Sequence, residues 1–523
     1  MSASLRVAGA PGAHPSRLSR WWPLLALVLL AAALRLSTLG LQSFWYDEAF
    51  TPVHVLHRSL WATLRSVVHT ENTPPLWYVL AWVDYRVLGG GETALRLPSA
   101  LAGIATVPVA WAIGRELAGR RTALVAAALV AVNPLFVWYS QEARAYGLFV
   151  LTAALALLCF LRVQREPTRG HVAAFALSGV LAMLTHYFAV FLLAPMALWL
   201  VCDRSTRRQA LPAIGALTIV GLALVPLVSA QGGHGTQWIG RWPLSERVQA
   251  IPQYYLTGYS GAPLGHGVEL LVALAVLAGV GLGLWRMLER PSATGDGEQG
   301  RRALMVLSVA ATGVFLPIAL VAFGADYLAP RNLVAAMVSV TALIAFLVAS
   351  PRGGRAGMML AAAIALAFLT LSLDVDFSPR LQRGNWRDVA RALRGGAGQR
   401  AITTVQLGAA PLEYYMPSLR NLPRGRSVTV SEIDESGYAP LRASAGRPPA
   451  PGFRLLQRLN IDGLIVYRFV SATPRAVSET ALRRHVITLA HAEVLVPGNL
   501  LPAAARRPAR AGEGRPPPSV KKI

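Results

Sequence analysis

A chain of 523 residues that is 54% hydrophobic and only 15% charged, with a mean hydropathy of +0.45, is not a soluble domain. Soluble domains carry roughly a quarter charged residues, so the composition bounds the chain to a polytopic membrane protein. The net charge of +24 would suit a nucleic-acid binder, but the basic residues fall in short clusters between apolar runs. They form neither a continuous stripe nor a recognisable nucleic-acid module, and loop charge with a basic tail accounts for the excess.

Arg17 and Arg20 precede the apolar run Trp21 to Leu36, which is longer than the core of a signal peptide and is followed by no small-x-small cleavage site. It reads as a retained first span behind a cytoplasmic tail, residues 1–21. A helix needs roughly 20 apolar residues to cross the hydrocarbon. On that rule about eleven spans are predicted, near 22–39, 94–114, 122–138, 147–162, 171–186, 188–202, 210–230, 267–286, 303–323, 332–349 and 357–373. The connections holding Arg115/Arg120/Arg121, Arg162/Arg165/Arg169, Arg204/Arg207/Arg208, Arg286/Arg290/Arg301/Arg302 and Arg352/Arg355 alternate with arginine-poor ones. This predicts a multi-pass cell-membrane protein with a cytoplasmic N-terminus and an outer C-terminal part. Cys159 and Cys202 both fall near cytoplasmic span ends, so no disulfide framework is expected.

Four arginine-poor connections hold the candidate chemistry. The first, about 40–93, contains Trp45-Tyr46-Asp47-Glu48, His54, His57, His69, Glu71 and Thr73-Pro74-Pro75. Its segments 48–68 and 76–88 have the mixed helical spacing of helices lying in the interface, with the proline pair breaking between them. The second is Trp138 to Tyr146, with Glu142 and Arg144; the third, 231–266, is rich in Gly, Trp and Tyr; the fourth is Asp326 to Asn332, with Tyr327 and Arg331. His186-Tyr187 sits where two short spans meet. Residues 22–373 are read as the transmembrane domain and 374–496 as a small extracytoplasmic α/β domain. In the latter, Trp386 opens an amphipathic helix, with strands expected at 401–406 and 462–467. Residues 497–523 form a Pro-, Ala- and Arg-rich tail expected to be disordered.

Two adjacent carboxylates at a bilayer edge are costly to keep, and such charges are retained where something uses them. Asp47 is therefore the leading candidate for the chemical centre. A further set of motifs runs in order along the chain: Trp45-Tyr46-Asp47-Glu48, Pro74-Pro75-Leu76, Arg96-Leu97-Pro98-Ser99, Tyr139 to Tyr146, and Thr185-His186-Tyr187. With weaker echoes at Tyr327–Asn332 and Trp386-Arg387, it resembles the GT-C superfamily of integral-membrane glycosyltransferases, in its protein-mannosyltransferase and aminoarabinose-transferase-like branch. The resemblance implies a GT-C-like fold, a sugar donor carried on a polyprenyl phosphate, and transfer to a protein, lipid or glycan acceptor on the extracytoplasmic side. Family members often have His directly before the proline pair; here Thr73 stands there and His69 lies five residues before Pro74.

Asp47, matching the family's first-loop acid, is expected to be the base that deprotonates the acceptor hydroxyl, with Glu48 orienting Asp47 or the acceptor. One base attacking opposite the leaving group implies inversion. Arg144 and Arg331 are the expected phosphate ligands, since a guanidinium fork matches phosphoryl oxygens. Glu142, Tyr146, His186, Tyr187 and Tyr327 complete the expected substrate contacts. No cofactor is predicted; the only spacing that offers a divalent metal is His54 and His57 with Asp47 or Glu48. Asp374-Val375-Asp376 imitates the DxD of soluble transferases but lacks their nucleotide-binding α/β unit. The alternative function is a lipid-carrier flippase or transporter, which would call for two-half symmetry and charges at the bilayer midplane.

Overall fold

A computed structural model describes residues 17–258, 296–349, 354–396, 399–488 and 491–501, with isolated positions between 267 and 281. Five helices are long and apolar enough to cross a membrane: Glu92–Ala118, Tyr146–Arg165, Arg207–Gln231, Gly297–Val321 and Gly354–Phe377. The pair Arg120–Val132 and Pro134–Ser140, bent by 56°, makes a sixth if the two helices count as one broken span. The bend has a local cause. Pro134 cannot continue the first helix, and Asn133 starts the second by accepting hydrogen bonds from Leu135 N (3.0 Å) and Phe136 N (3.4 Å). Four shorter apolar helices, Trp21–Leu36, Arg169–Thr185, Ala189–Cys202 and Ala336–Ala349, occupy further predicted spans. Against the eleven spans predicted, five or six thus stand by length and composition among the described residues. Most of the expected segment 267–286 lies outside the described residues, as do most of the N-terminal tail and the end of the C-terminal one.

The arginine-rich connections gather at one end of the bundle. Arg162 and Arg165 pair with Glu116, Arg302 donates to the Glu116 carbonyl, and Arg301 pairs with Asp203. The arginine-poor connections meet at the other end. There the first loop folds as Tyr46–Phe50, a π-helical turn Thr51–Val55, and the helices Leu60–Thr70 and Leu76–Leu88, with Pro74-Pro75 at the break.

The C-terminal part is a six-stranded sheet of β1 (Arg400–Val405), β2 (Leu419–Asn421), β3 (Ser427–Tyr438), β4 (Arg454–Ile461), β5 (Leu464–Ser478) and β6 (Ala492–Pro497), in the order β2-β6-β1-β3-β5-β4. Only β1 and β3 run parallel; the other neighbours are antiparallel. Side chains alternate across it. Leu464, Val466 and Leu495 pack under helices Trp386–Arg394 and Gln406–Tyr415, while Ile465, Phe469, Val494 and Val496 face a second core. The expected strand at 462–467 is the start of the longer β5.

This sheet domain is fastened to the first loop. Phe44 N donates to Tyr415 Oη (2.7 Å), Trp386 N to Ser43 Oγ (3.0 Å), and Ser43 Oγ to the Gly384 carbonyl (2.9 Å). Arg387 pairs with Glu92, and His54 Nε2 lies 3.0 Å from Glu413 Oε2. Both cysteines are free.

Candidate active site

The two neighbouring acids of the first loop part company on one helical turn. Glu48 points inward and is fully buried. Arg96, on helix Glu92–Ala118, meets it with two bonds of 2.7 Å, and Ala143 N adds a third at 2.9 Å. The same guanidinium donates to the carbonyls of Leu39 (2.9 Å), Gln42 (2.7 Å) and Ser43 (3.1 Å), so the chain leading to Asp47 is wrapped around Arg96. Burial drives the Glu48 carboxyl up, but Arg96, its hydrogen bonds and Arg383 outweigh that and hold it below the usual carboxylate range. Glu48 is thus a permanent anion inside the frame. Both its oxygens are engaged and neither meets solvent; of the two parts expected for it, orienting Asp47 or orienting the acceptor, its place in the turn beside Asp47 suits the first.

Asp47 faces the other way and stays partly open, at 19% side-chain exposure. Its Oδ2 is 2.6 Å from Arg331 Nη1, donated by a short 3-10 turn, Pro330–Leu333. Arg331 is flanked by the rings of Tyr146 (5.9 Å) and Trp238 (5.2 Å). Arg144 reaches the Asp47 carbonyl at 3.4 Å and pairs with Glu71 at 3.2 Å, not with the nearby Glu142. Glu71 is held in turn by the Tyr78 hydroxyl at 2.5 Å. A carboxylate, two guanidinium groups and an aromatic wall therefore share one end of the bundle.

Glu142 is buried and pairs with Arg383 at 3.4 Å. Burial raises its carboxyl to about 7, against the pull of Arg383 and with help from Glu48 and Asp47. It belongs to the frame, which differs from its expected place among substrate contacts. His186 is likewise enclosed. Its ring stacks on Phe149 at 4.7 Å, and burial, with Arg331 and Arg144 nearby, pushes it down to about 3. It is a neutral wall residue beside Tyr146 (5.9 Å). The Tyr187 hydroxyl is committed to Gln231 at 2.6 Å, and the same Gln231 ties down the Val67 and Thr73 carbonyls. Tyr327 is exposed, and its carbonyl accepts from Asn332. His54, engaged with Glu413, is the nearest thing to the metal ligand set considered from spacing. Among the described residues no three His, Cys, Asp or Glu side chains group as a metal site.

Sequence reasoning passed over Glu71, Tyr78, Trp238 and Arg383 as site residues. Glu71 stood in the same loop as Asp47 and was a legible acid. Arg383 and Trp238 gave no signal, since only folding brings them within reach.

A family model described as dolichyl-phosphate-mannose-protein mannosyltransferase matches residues 72–229. A curated relative, the putative mannosyltransferase YkcB of Bacillus subtilis (strain 168), is 23% identical over 210 residues, which cover 38% of this chain and 29% of that protein. The match thus spans about three-tenths of the relative's length. The solved structure of ArnT from Cupriavidus metallidurans bound to undecaprenyl phosphate superposes with a TM-score of 0.55 at 14% identity, over 86% of this chain and 98% of that one. That likeness is one of fold. The family model and the relative thus each match part of the chain, and the ArnT structure shares its fold over most of it.

Proposed function

We propose that the chain transfers a sugar from a polyprenyl-phosphate carrier to an acceptor hydroxyl on the extracytoplasmic side, with inversion. The observation that carries this reading is the Asp47–Arg331 contact of 2.6 Å with Arg144 beside it, which puts a carboxylate base and phosphate-binding cations in one partly open place. The position of the arginine-rich connections at the opposite end supports the assignment of sides. The undecaprenyl phosphate bound in the ArnT structure, and the matching family model's description as dolichyl-phosphate-mannose-protein mannosyltransferase, support a lipid-linked donor.

In this mechanism the donor phosphate competes for Arg331, which turns from Asp47 to the phosphoryl oxygens while Arg144 supplies a second cation. Once Arg331 has turned away, Asp47 Oδ2 is open to the incoming acceptor hydroxyl. The acceptor O–H proton passes to Asp47, the hydroxyl oxygen bonds to the anomeric carbon, and the bond from that carbon to the phosphate oxygen breaks. Polyprenyl phosphate leaves carrying the electron pair, its charge held by the two guanidinium groups. Glu48 and Arg96 take no proton; they fix the turn that aims Asp47.

The test uses the full chain in nanodiscs with radiolabelled undecaprenyl-phosphate sugars, mannose and arabinose separately, and host membranes as acceptor. Transfer is expected with one donor, and Asp47→Asn should lower it by at least 10³-fold with carrier binding kept. Full transfer by Asp47→Asn removes Asp47 as the base, and carrier translocation without transfer by the unaltered chain removes the function.

A further inference from the structure

Arg383 lies in the segment that leads from the last helix of the bundle, Gly354–Phe377, to the sheet domain, far outside the family-matched region 72–229. Yet its side chain is 2% exposed and enters the acid cluster of the first and second loops. It is 3.4 Å from Glu142 Oε2 and 3.9 Å from Glu48 Oε2. Its guanidinium carbon lies over the Trp138 ring, 4.0 Å from the ring centre, and its Nη1 meets Gln42 Oε1 at 3.3 Å. Its own backbone N donates to that same oxygen at 3.1 Å. A single side chain thus touches the strand of chain before Asp47, the acid after it, and the loop that carries Arg144.

Electrostatics says why such a residue is needed. Around the site stand four carboxylates, Asp47, Glu48, Glu71 and Glu142, and Arg96, Arg144 and Arg331 are three of the cations facing them. A buried anion without a counter-charge costs several kcal/mol or takes up a proton. Arg383 is the fourth cation. It comes from a segment that is itself anchored one residue later, where the Gly384 carbonyl accepts from Ser43, and further along by the Arg387–Glu92 pair. The docked sheet domain and the charge balance of the site are therefore one construction.

We infer that Arg383 is a positioning residue for the transfer reaction, and that the C-terminal sheet domain serves the membrane site by holding this guanidinium between Glu48 and Glu142. The inference rests on the reading of Asp47 as the base, because what Arg383 positions is the turn that carries Asp47. It acts through Glu48 and Glu142 and touches no reacting atom, so its signature is a loss in turnover with donor binding retained.

Arg383→Met, Glu142→Gln and the double variant are made in the full chain, with Arg391→Ala, an exposed site away from the cluster, as control. Arg383→Met should lower turnover at saturating donor by about 10²-fold, while affinity for undecaprenyl phosphate changes less than threefold. The double variant, which removes both buried partners, should regain at least tenfold over Arg383→Met. Hydrogen exchange of peptides spanning residues 44–50 gives a readout that needs no turnover: faster in Arg383→Met, restored in the double variant, unchanged in Arg391→Ala. Turnover within threefold of the unaltered chain, an equal loss of carrier affinity, or absence of rescue in the double variant each overturn the inference. A chain without transfer under any donor sinks the proposed function alone, and the exchange readout then decides the positioning role.

Discussion

Arg96→Met is the sharpest perturbation of the frame. It removes the partner of a carboxylate with no solvent exposure and strips the donor from three loop carbonyls at 2.7–3.1 Å. What remains for Glu48 is one backbone N–H at 2.9 Å and Arg383 at 3.9 Å. Breaking a buried ion pair from one side costs about 3–5 kcal/mol, because the surviving charge is left in a poor solvent. Replacing both partners is different: Glu48→Met with Arg96→Met should recover most of that loss. A residue of about 1–2 kcal/mol should remain for the carbonyls left without their donor. Equilibrium unfolding in mixed micelles on titration with dodecyl sulfate, followed by tryptophan fluorescence, measures all three chains. A loss under about 1 kcal/mol for the single variant, or a double variant no more stable than the single, would refute the argument that Glu48 is a caged anion.

Three further outcomes are expected. Arg331→Gln should weaken undecaprenyl phosphate binding by roughly 10–100-fold, the worth of one charge-assisted contact, with Arg331→Lys recovering only part of it in a nanodisc binding assay. Glu142 holds its proton up to about pH 7 in the folded chain, against 4.5 for an ordinary glutamate, so the folded state binds the extra proton between those values. Stability should therefore fall as pH rises from about 4.5 to 7 and level off outside that window, and Glu142→Gln should flatten the slope in thermal melts. Asn133→Ala loses the cap on Leu135 and Phe136 and the donor to the Tyr255 carbonyl, and should cost roughly 2–3 kcal/mol. Asn133→Asp, which keeps the cap, should cost less in the same unfolding titration.

The membrane class and the separate C-terminal α/β part were legible because each rests on local pattern. Apolar runs mark spans, and a change of composition marks a domain. The proline pair and Asn133-Pro134 likewise announced breaks that the helices obey. What local pattern could not say is which acid faces in. Asp47 and Glu48 are neighbours of like charge, and only the placement of Arg96 and Arg331 from elsewhere in the chain gives one a cage and the other an opening. Glu142 and Arg144 show the same limit. Two residues apart in sequence and opposite in charge, each is claimed by a residue from elsewhere in the chain, Arg383 and Glu71. Of the eleven expected spans, five or six stand by length and composition among the described residues, because the shorter apolar helices fall below the length that composition alone accepts as a crossing.

The long separation between Asp47 and its cation has a consequence for how the protein is made. Arg331 follows Asp47 by 284 positions. At about 5–20 residues per second, a ribosome needs roughly 15–60 seconds to cover that distance. Throughout that interval the acid stands without the guanidinium that meets it in the finished chain, and a product of stalled translation that ends before Arg331 lacks that contact. Insertion of the late segments is thus what completes the Asp47 contact.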